Sequence, residues 1–586
     1  MRAALYVLLA LPVLLVAVPL TPMTVLPDET PVDASQPFER GPGKIAPDDG
    51  GFVIGVVDTI GGTTYDWLAN GAALRQLVNA PDFGIHALWM YSTSMSGTSF
   101  PDRNMRYNFY DYSAGWNWID PDHMQSGVNA FVERVGFGNL SMNPDDQAAV
   151  PSCHHAVGAQ DLAPIVARDA APGTGIFEYC EGEPTLVPYA WNRVAVGQNG
   201  TYHLSMMLYD PQGNSSDHYY SRATTWCNWD NPVAVPPPQP HPDFPDHNIA
   251  VSRVQGSNKV CLTWVYSPDG YSQKPGFYRI STDGGTNWGD PTQLLWPTAY
   301  GGDTLTSFHI TSLFPFYDLN DELHFAACVA PFVRDTNWIL PAEIWHWSET
   351  DGWSEIFRGC DSVLANIGYN AITACRPSMG TDSAGNLFVA WENFDGLNYE
   401  SLPVARLRAD IWYSYSVNNG QTWAQAVKIT DGGSVSHRFP CIMDYMTDTV
   451  AVLYLIDQHA GFVLYNEGPH TNNPIVVQRW KNPASGVKQK PAPRPVRMEA
   501  TVVPNPFGKA TRISYAVPNS GDMSLAIYDP TGRPVRSLVS GHAEPGRYFA
   551  VWDGRADNGD KVAAGVYLYR FIHRDKQVTG KLTLTE

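Results

Sequence analysis

Charge is scarce in this 586-residue chain. Only 16% of residues are Asp, Glu, Lys or Arg, against about a quarter in an ordinary soluble domain. Basic residues are the scarcest: 38 Lys and Arg face 58 Asp and Glu, a formal net charge of −20. Such a balance repels phosphate backbones and anionic lipid, and it argues against nucleic acid as a partner. Helical periodicity is missing after the first twenty residues, which excludes helix bundles and helix-covered parallel sheets. There is no Gly-rich phosphate loop and no G-x-S-x-G elbow, so neither nucleotide-phosphate nor α/β-hydrolase chemistry is indicated. No run beyond residue 20 is apolar enough to span a membrane. Asp145-Asp146 and Asp557-Asn558-Gly559 lack the spacing of a dedicated Ca²⁺ loop. Cys153-His154-His155 is a cluster of metal-ligand types, but neighbours on a strand face opposite ways. Cys153 and His155 alone fall short of the three or four ligands that zinc needs. The sequence therefore predicts no metal and no cofactor.

What is present points to an all-β chain. Hydrophobic residues make up 44% and aromatics 12%, and 50 Gly and 47 Pro are scattered throughout. That composition suits many short strands joined by turns. The length predicts two to four domains. Residues 1–20 read Met1-Arg2 and then an apolar run, the pattern of a secretory signal segment. Residues 21–50, rich in Pro, Asp and Gly, read as a flexible lead-in. The expected location is therefore secreted or at the outer cell surface, with membrane contact only through the signal segment or a surface anchor. Cys153, Cys180, Cys227, Cys261, Cys328, Cys360, Cys375 and Cys441 are an even set in an exported chain. Disulfides are permitted but their pairing is open. The Cys360–Cys375 spacing is compatible with a bridge, and Cys261 and Cys328 sit in apolar strand patterns that suit buried thiols.

Residues 51–480 are organised around Ser281-Thr-Asp283-Gly-Gly285-Thr-Asn-Trp288, preceded by Phe277-Tyr-Arg-Ile280. Aromatic and β-branched residues lead into a tight turn; Ser and Asp side chains can cap its backbone N–H groups, and Gly285 permits a positive φ. A close copy reads Ser416-Val-Asn418-Asn-Gly420-Gln-Thr-Trp423. The pattern S-x-D-x-G-x-x-W resembles the Asp-box, or BNR repeat, of sialidase-like β-propellers, where it lies between the outer two strands of a blade. The resemblance implies a structural role for these turns. A longer repeat surrounds them. Arg75–Trp89, Arg193–Met206 and Arg376–Trp391 share one pattern, with looser copies at Asn139–His155, Ile249–Trp264, Thr311–Cys328 and Pro440–Leu455. It returns about every 60 residues, enough for four short strands. Seven copies predict a seven-bladed propeller, with six blades as the alternative.

Residues 481–499 switch to Pro and basic residues and read as an extended linker. Residues 500–586 alternate apolar and polar positions between regular turn signals, which predicts an Ig-like β-sandwich. Val503-Pro-Asn-Pro506, Tyr528-Asp-Pro-Thr-Gly-Arg-Pro-Val535, Trp552-Asp-Gly-Arg555 and Ala564-Gly-Val-Tyr567 follow in order. Together they resemble the C-terminal sorting domain of type IX secretion and the related Ig-like domain of flagellar hook-capping proteins. That likeness implies a secretion and anchoring module with the secretion machinery as partner.

Function is then expected from the propeller. Sialidases of the resembled family clamp a carboxylate with three arginines, use a Tyr–Glu nucleophile pair and an Asp acid/base; a guanidinium matches a carboxylate in bidentate fashion. Arg75, Arg193 and Arg376 occupy the same repeat position and are the candidate ligand-binding set; a repeated structural ion pair or a solvated rim residue is the alternative. Asp58, Asp66 and Tyr65 have the right chemistry, but no spacing ties them to the arginines, so no catalytic residue is assigned. The leading expectation is a propeller that binds a glycan or surface protein without turnover. The alternatives are an exo-glycosidase of the sialidase type and a purely structural surface protein.

Overall fold

The structure, a computed structural model, describes residues 54–485 and 498–585. The short stretches 70–72, 158–160, 182–185, 210–216, 236–245, 266–275, 295–305, 334–335, 338, 369–370, 402, 504, 509, 519, 544–545 and 575 are excepted. The expected signal segment, lead-in and most of the linker lie outside the described residues. The rest falls into two compact units that divide between Lys488 and Gln489.

Among the described residues the first unit is built from seven antiparallel four-stranded sheets, six of them meanders in chain order and some with an added short strand. We number them sheets 1 to 7. Their innermost strands are Leu77–Ala80, Val135–Met142, Tyr189–Val196, Asp246–Val251, Thr306–Tyr317, Ala374–Asp382 and Ser436–Ile442. Burial explains the layering. Ala374–Asp382 and Ser436–Ile442 are buried at every residue, whereas the outermost strands Val233–Ala234 and Val427–Lys428 are not. A strand buried on both faces must be apolar or internally satisfied throughout, which is why the repeat is clearest there. Innermost strands of successive sheets are neighbours. The ring closes where Asn79 N–H donates to Asp444 Oδ1 at 2.8 Å and the Arg75 guanidinium donates to the Ile442 carbonyl at 2.7 Å. Sheet 7 takes its outermost strand from the other end of the chain: Val56–Thr63 pairs antiparallel with Asn473–Lys481. This is a β-propeller arrangement, and closure removes the open sheet edges a linear array would expose.

Five innermost strands carry a β-bulge near their start, between Gly136 and Asn139, Ala190 and Arg193, Ile310 and Ser312, Cys375 and Ser378, and Arg438 and Cys441. In four of these a residue with a large side chain takes the left-handed region: Phe137 (φ 55), Trp191 (φ 48), Arg376 (φ 53) and Phe439 (φ 55). Each such residue costs about 1–3 kcal/mol and persists because its surroundings hold it. A bulge re-aims one side chain out of the alternation, and a periodicity of two cannot anticipate it.

The two S-x-(D/N)-x-G turns follow the third strands of sheets 4 and 6. Ser281 Oγ accepts the Gly285 N–H at 2.8 Å and donates to Asp283 Oδ1 at 2.8 Å; Asp283 Oδ1 accepts the Asn287 N–H at 2.8 Å. Ser416 Oγ accepts the Gly420 N–H at 2.9 Å in the same way, and Asn418 Oδ1 accepts Thr422 N–H at 3.0 Å. Both turns seat on another sheet. Trp288 packs edge-on against Tyr220 of sheet 3 at 4.8 Å, and Trp423 Nε1 donates to Ser354 Oγ of sheet 5 at 3.2 Å.

Among the cysteines, Cys180 and Cys227 form a disulfide, while Cys153, Cys261, Cys328, Cys360, Cys375 and Cys441 are free. The Cys360–Cys375 bridge is not made. Cys375 is buried beside Glu392, its thiol donating to Oε1 at 3.1 Å. Cys261 and Cys328 are buried thiols, as their apolar strands required.

The second unit holds a three-stranded sheet (Glu499–Val503, Thr511–Val517, Gly546–Trp552) and a four-stranded one (Pro534–Ala543, Gly521–Tyr528, Gly565–His573, Lys576–Leu584). Strict alternation along Gly521–Tyr528 sends Met523, Leu525 and Ile527 into a core shared with Ile513, Tyr515, Trp552 and Phe571. Two sheets joined by one apolar layer make the expected sandwich.

Candidate functional site

The bulges gather unusual side chains at the end of the propeller unit where the innermost strands begin. In sheets 1 to 3 this is an aromatic strip. The half-buried Phe137 ring lies parallel to His154 at 5.8 Å; His154 meets Trp191 edge-on at 5.6 Å; Trp191 meets Tyr209 at 5.8 Å. Tyr65 packs on Phe137 at 6.4 Å and on Phe100 at 4.8 Å. Two guanidiniums flank the strip. Arg103 lies 5.5 Å from the centroids of both Tyr65 and Phe137, and its Nε donates to the Val135 carbonyl at 3.0 Å. Arg134 is exposed, with Nε donating to the Phe100 carbonyl at 3.0 Å and Nη2 to Ser99 at 2.7 Å. These carbonyl contacts fix the guanidinium planes. His155 Nδ1 sits 2.7 Å from Glu133 Oε2 beside them.

Electrostatics at the strip follow from burial. Burial pushes the Tyr65 hydroxyl up, partly opposed by Arg103, so it is a neutral donor near neutrality. Burial, then Arg103 and Arg193, holds His154 well below its usual value. That neutral ring accepts the Trp191 N–H at Nδ1, 3.2 Å away. Tyr65, Phe100, His154 and Trp191 are buried, so the strip offers a ligand the half-buried rings of Phe137 and Tyr209, with Arg103 and Arg134 as cations for an acidic substituent.

In sheets 6 and 7 the same end carries a dense ionic cluster. Glu392 lies between Arg376, which pairs with Oε1, and Arg438, whose Nε is 3.2 Å from Oε2; the Phe439 N–H donates to Oε2 at 2.9 Å. Burial would raise Glu392, but Arg438 and Arg376 outweigh it and hold the carboxyl at about 2. Asp66 and Asp457 lie close by as a buried pair. Burial chiefly pushes Asp66 up to about 7, despite the Val463 N–H at 2.7 Å; burial and then Asp66 push Asp457 well above its usual range. Carboxyls held near neutrality are a mark of acid–base sites, and ion networks also produce them.

The predicted arginines have separate environments. Arg75 lines a central cavity of about 90 Å³, together with Arg253, Asn139, Asn248, Phe314 and Asp444, and its Nη2 donates to the Met379 carbonyl at 2.6 Å. Arg193 is buried and donates to the Trp191 carbonyl at 2.9 Å. Arg376 is buried in the Glu392 cluster. Only Arg75 of the three lines the cavity. Asp58 pairs with Arg479, whose Nε is 3.0 Å away, and Tyr65 and Asp66 separate into the strip and the acid pair. Cys153-His154-His155 is no metal set: Cys153 is in the core, His154 faces Trp191 and His155 faces Glu133. Sequence reasoning missed Arg103, Arg134, Phe137 and Trp191. The two arginines stand outside the repeat, and bulges re-aim the two aromatics.

Among solved structures, an ulvan lyase, a polysaccharide lyase, is 12% identical, covering 70% of this chain and 100% of its own with a TM-score of 0.43. A Penicillium chrysogenum α-L-arabinanase is 10% identical (60% and 94% covered, TM-score 0.36), and a Hadza microbial sialidase is 12% identical (67% and 75% covered, TM-score 0.32). No curated relative matches. Residues 506–571 match the FlgD Ig-like domain family, so the sandwich at the C-terminus is an Ig-like domain of that kind.

Proposed function

We propose that the propeller unit, its seven sheets read as seven blades, binds an acidic glycan across the aromatic strip without turning it over. One observation carries this reading: Phe137, half-buried and held in costly left-handed backbone over the buried Trp191, has the Arg103 guanidinium 5.5 Å from its ring, with exposed Arg134 beside Phe100. Sugar rings stack on such faces, and a charge-assisted hydrogen bond adds about 1.5–3 kcal/mol. The experiment is calorimetry of the purified protein against acidic and neutral polysaccharides, alongside a fluorogenic glycoside panel that includes a sialoside. The expected result is acidic-glycan binding weakened by roughly 10–100-fold in Arg103→Ala, with no turnover. Equal affinity for neutral polymers, or an unaffected Arg103→Ala, sinks it.

A second reading, an exo-glycosidase of the sialidase type, is favoured by the carboxyl of Asp66 held near neutrality, the property of a general acid. Sialoside release abolished by Asp66→Asn in a folded protein would establish it. Arg75→Ala tests the cavity separately, since Arg193 and Arg376 are buried. The Ig-like domain serves, in the same proposal, as a secretion and anchoring module, with the Asp-box-like turns purely structural. Cell fractionation after deletion of residues 500–586 tests that role by loss of surface or secreted protein.

A further inference from the structure

A second site lies in sheet 5, where the turn after Thr306–Tyr317 runs Asp318-Leu-Asn320-Asp-Glu322-Leu-His324 into the next strand. Asp318, Glu322 and His324 each offer one ligand atom, and the three atoms lie within 4.8 Å of one another. Asp318 and His324 are fully buried and Glu322 is half-buried.

Ser354 Oγ donates its single hydrogen to the Gly420 carbonyl and accepts the Trp423 indole N–H at 3.2 Å. It must therefore accept from His346 Nδ1, 3.1 Å away. His346 Nε2 in turn lies 2.9 Å from His324 Nδ1. His324 Nε2 takes no part in this chain. That nitrogen has no hydrogen-bond partner among the described residues, and it points at Asp318 Oδ2 from 3.8 Å. A fully buried imidazole nitrogen without a hydrogen-bond partner, aimed at one carboxylate with a second beside it, is a place where a cation can be held.

Two other sheets carry the same device with a different ending. His86 Nδ1 meets the Tyr107 hydroxyl at 2.7 Å, and His203 Nδ1 meets the Tyr220 hydroxyl at 2.7 Å. At His86 the far nitrogen is satisfied by the Gln147 carbonyl at 2.9 Å. In sheet 5 the tyrosine is replaced by His346, and the far nitrogen faces carboxylates instead.

We propose that Asp318, Glu322 and His324 bind one divalent transition-metal ion, with zinc the best match to a His-plus-carboxylate set. An ion with bonds of about 2.1 Å bridges ligand atoms about 3–4 Å apart, so a small contraction closes the site. The outer contacts are those of a metal centre. His346 orients His324. Glu322 accepts Asn419 Nδ2 at 2.8 Å and Thr350 N–H at 3.1 Å, and Asp318 Oδ2 accepts Asn320 Nδ2 at 2.9 Å. Asn419 belongs to the Ser416 turn of sheet 6, so the ion would tie two sheets together.

The test is elemental analysis of the full chain after gel filtration, with thermal melts in chelator and in added Zn²⁺, and Co²⁺ substitution as a spectroscopic probe. One equivalent of zinc retained, a Tm lowered by about 5 °C in chelator and Co²⁺ visible bands are expected. Glu322→Gln, at a half-exposed position, should stay folded by circular dichroism and lose the bands. Absence of stoichiometric metal together with a Tm indifferent to chelator and zinc would overturn the proposal.

Discussion

Arg376 shows what a repeated residue can mean at the scale of single side chains. Its bulged backbone turns the guanidinium toward Glu392, and the Phe439 ring lies 4.8 Å from its Cζ. Breaking a buried pair leaves an uncompensated charge, so Glu392→Gln should cost about 3–5 kcal/mol at pH 7, measured by denaturant unfolding. Because Glu392 is depressed to about 2, its contribution is present above the unfolded value near 4.5 and is lost as pH falls toward 2. The gap between wild type and Glu392→Gln should narrow over that window. Asp66 has the opposite sign. Its folded value lies above the unfolded one, so the native state holds the proton longer and stability falls as pH rises from about 4 to about 7. Asp66→Asn should flatten that fall in Tm against pH, and an unchanged profile would show that Asp66 is ionised throughout.

Turns and strands set the next scale. Gly285 has φ +77, and a Cβ there would lie 1.8 Å from the Tyr220 hydroxyl oxygen. Gly285→Ala should therefore destabilise by about 1–3 kcal/mol through strain and displacement of Tyr220, read from the shift in urea midpoint. The outermost strand of sheet 7 is more consequential because it closes the ring. A Cβ on Gly61 would strike the buried Trp89 indole at 2.2 Å. Gly61→Val should cost about 1–3 kcal/mol and should increase hydrogen exchange in Asn473–Lys481, the strand it pairs with. The turn chemistry at Ser281 and Ser416 was legible in the sequence because Ser, Asp or Asn, and Gly act over four residues. The bulges were not, because a bulge depends on what the neighbouring strand presents.

At the scale of the molecule, two units with separate cores predict two thermal transitions by calorimetry. Gly61→Val should move only the transition that survives in protein lacking residues 500–586. A single transition that shifts as a whole would show that the two units unfold cooperatively.

Sequence alone determined the all-β class, the repeat behind the sheets and the C-terminal sandwich. Each is written in local pattern: alternation, turn residues and a period of about 60 residues. Only tertiary structure decided which arginines are buried, that Cys180 pairs with Cys227, and that Tyr65, Arg103, Phe137 and Trp191 gather in one cluster. Only it decided, too, that His324 lies beside Asp318 and Glu322. The physical reason is the same in each case. Ring closure and bulges bring together groups far apart in the chain, and the charge, burial and protonation of each group are set by neighbours that no local pattern specifies.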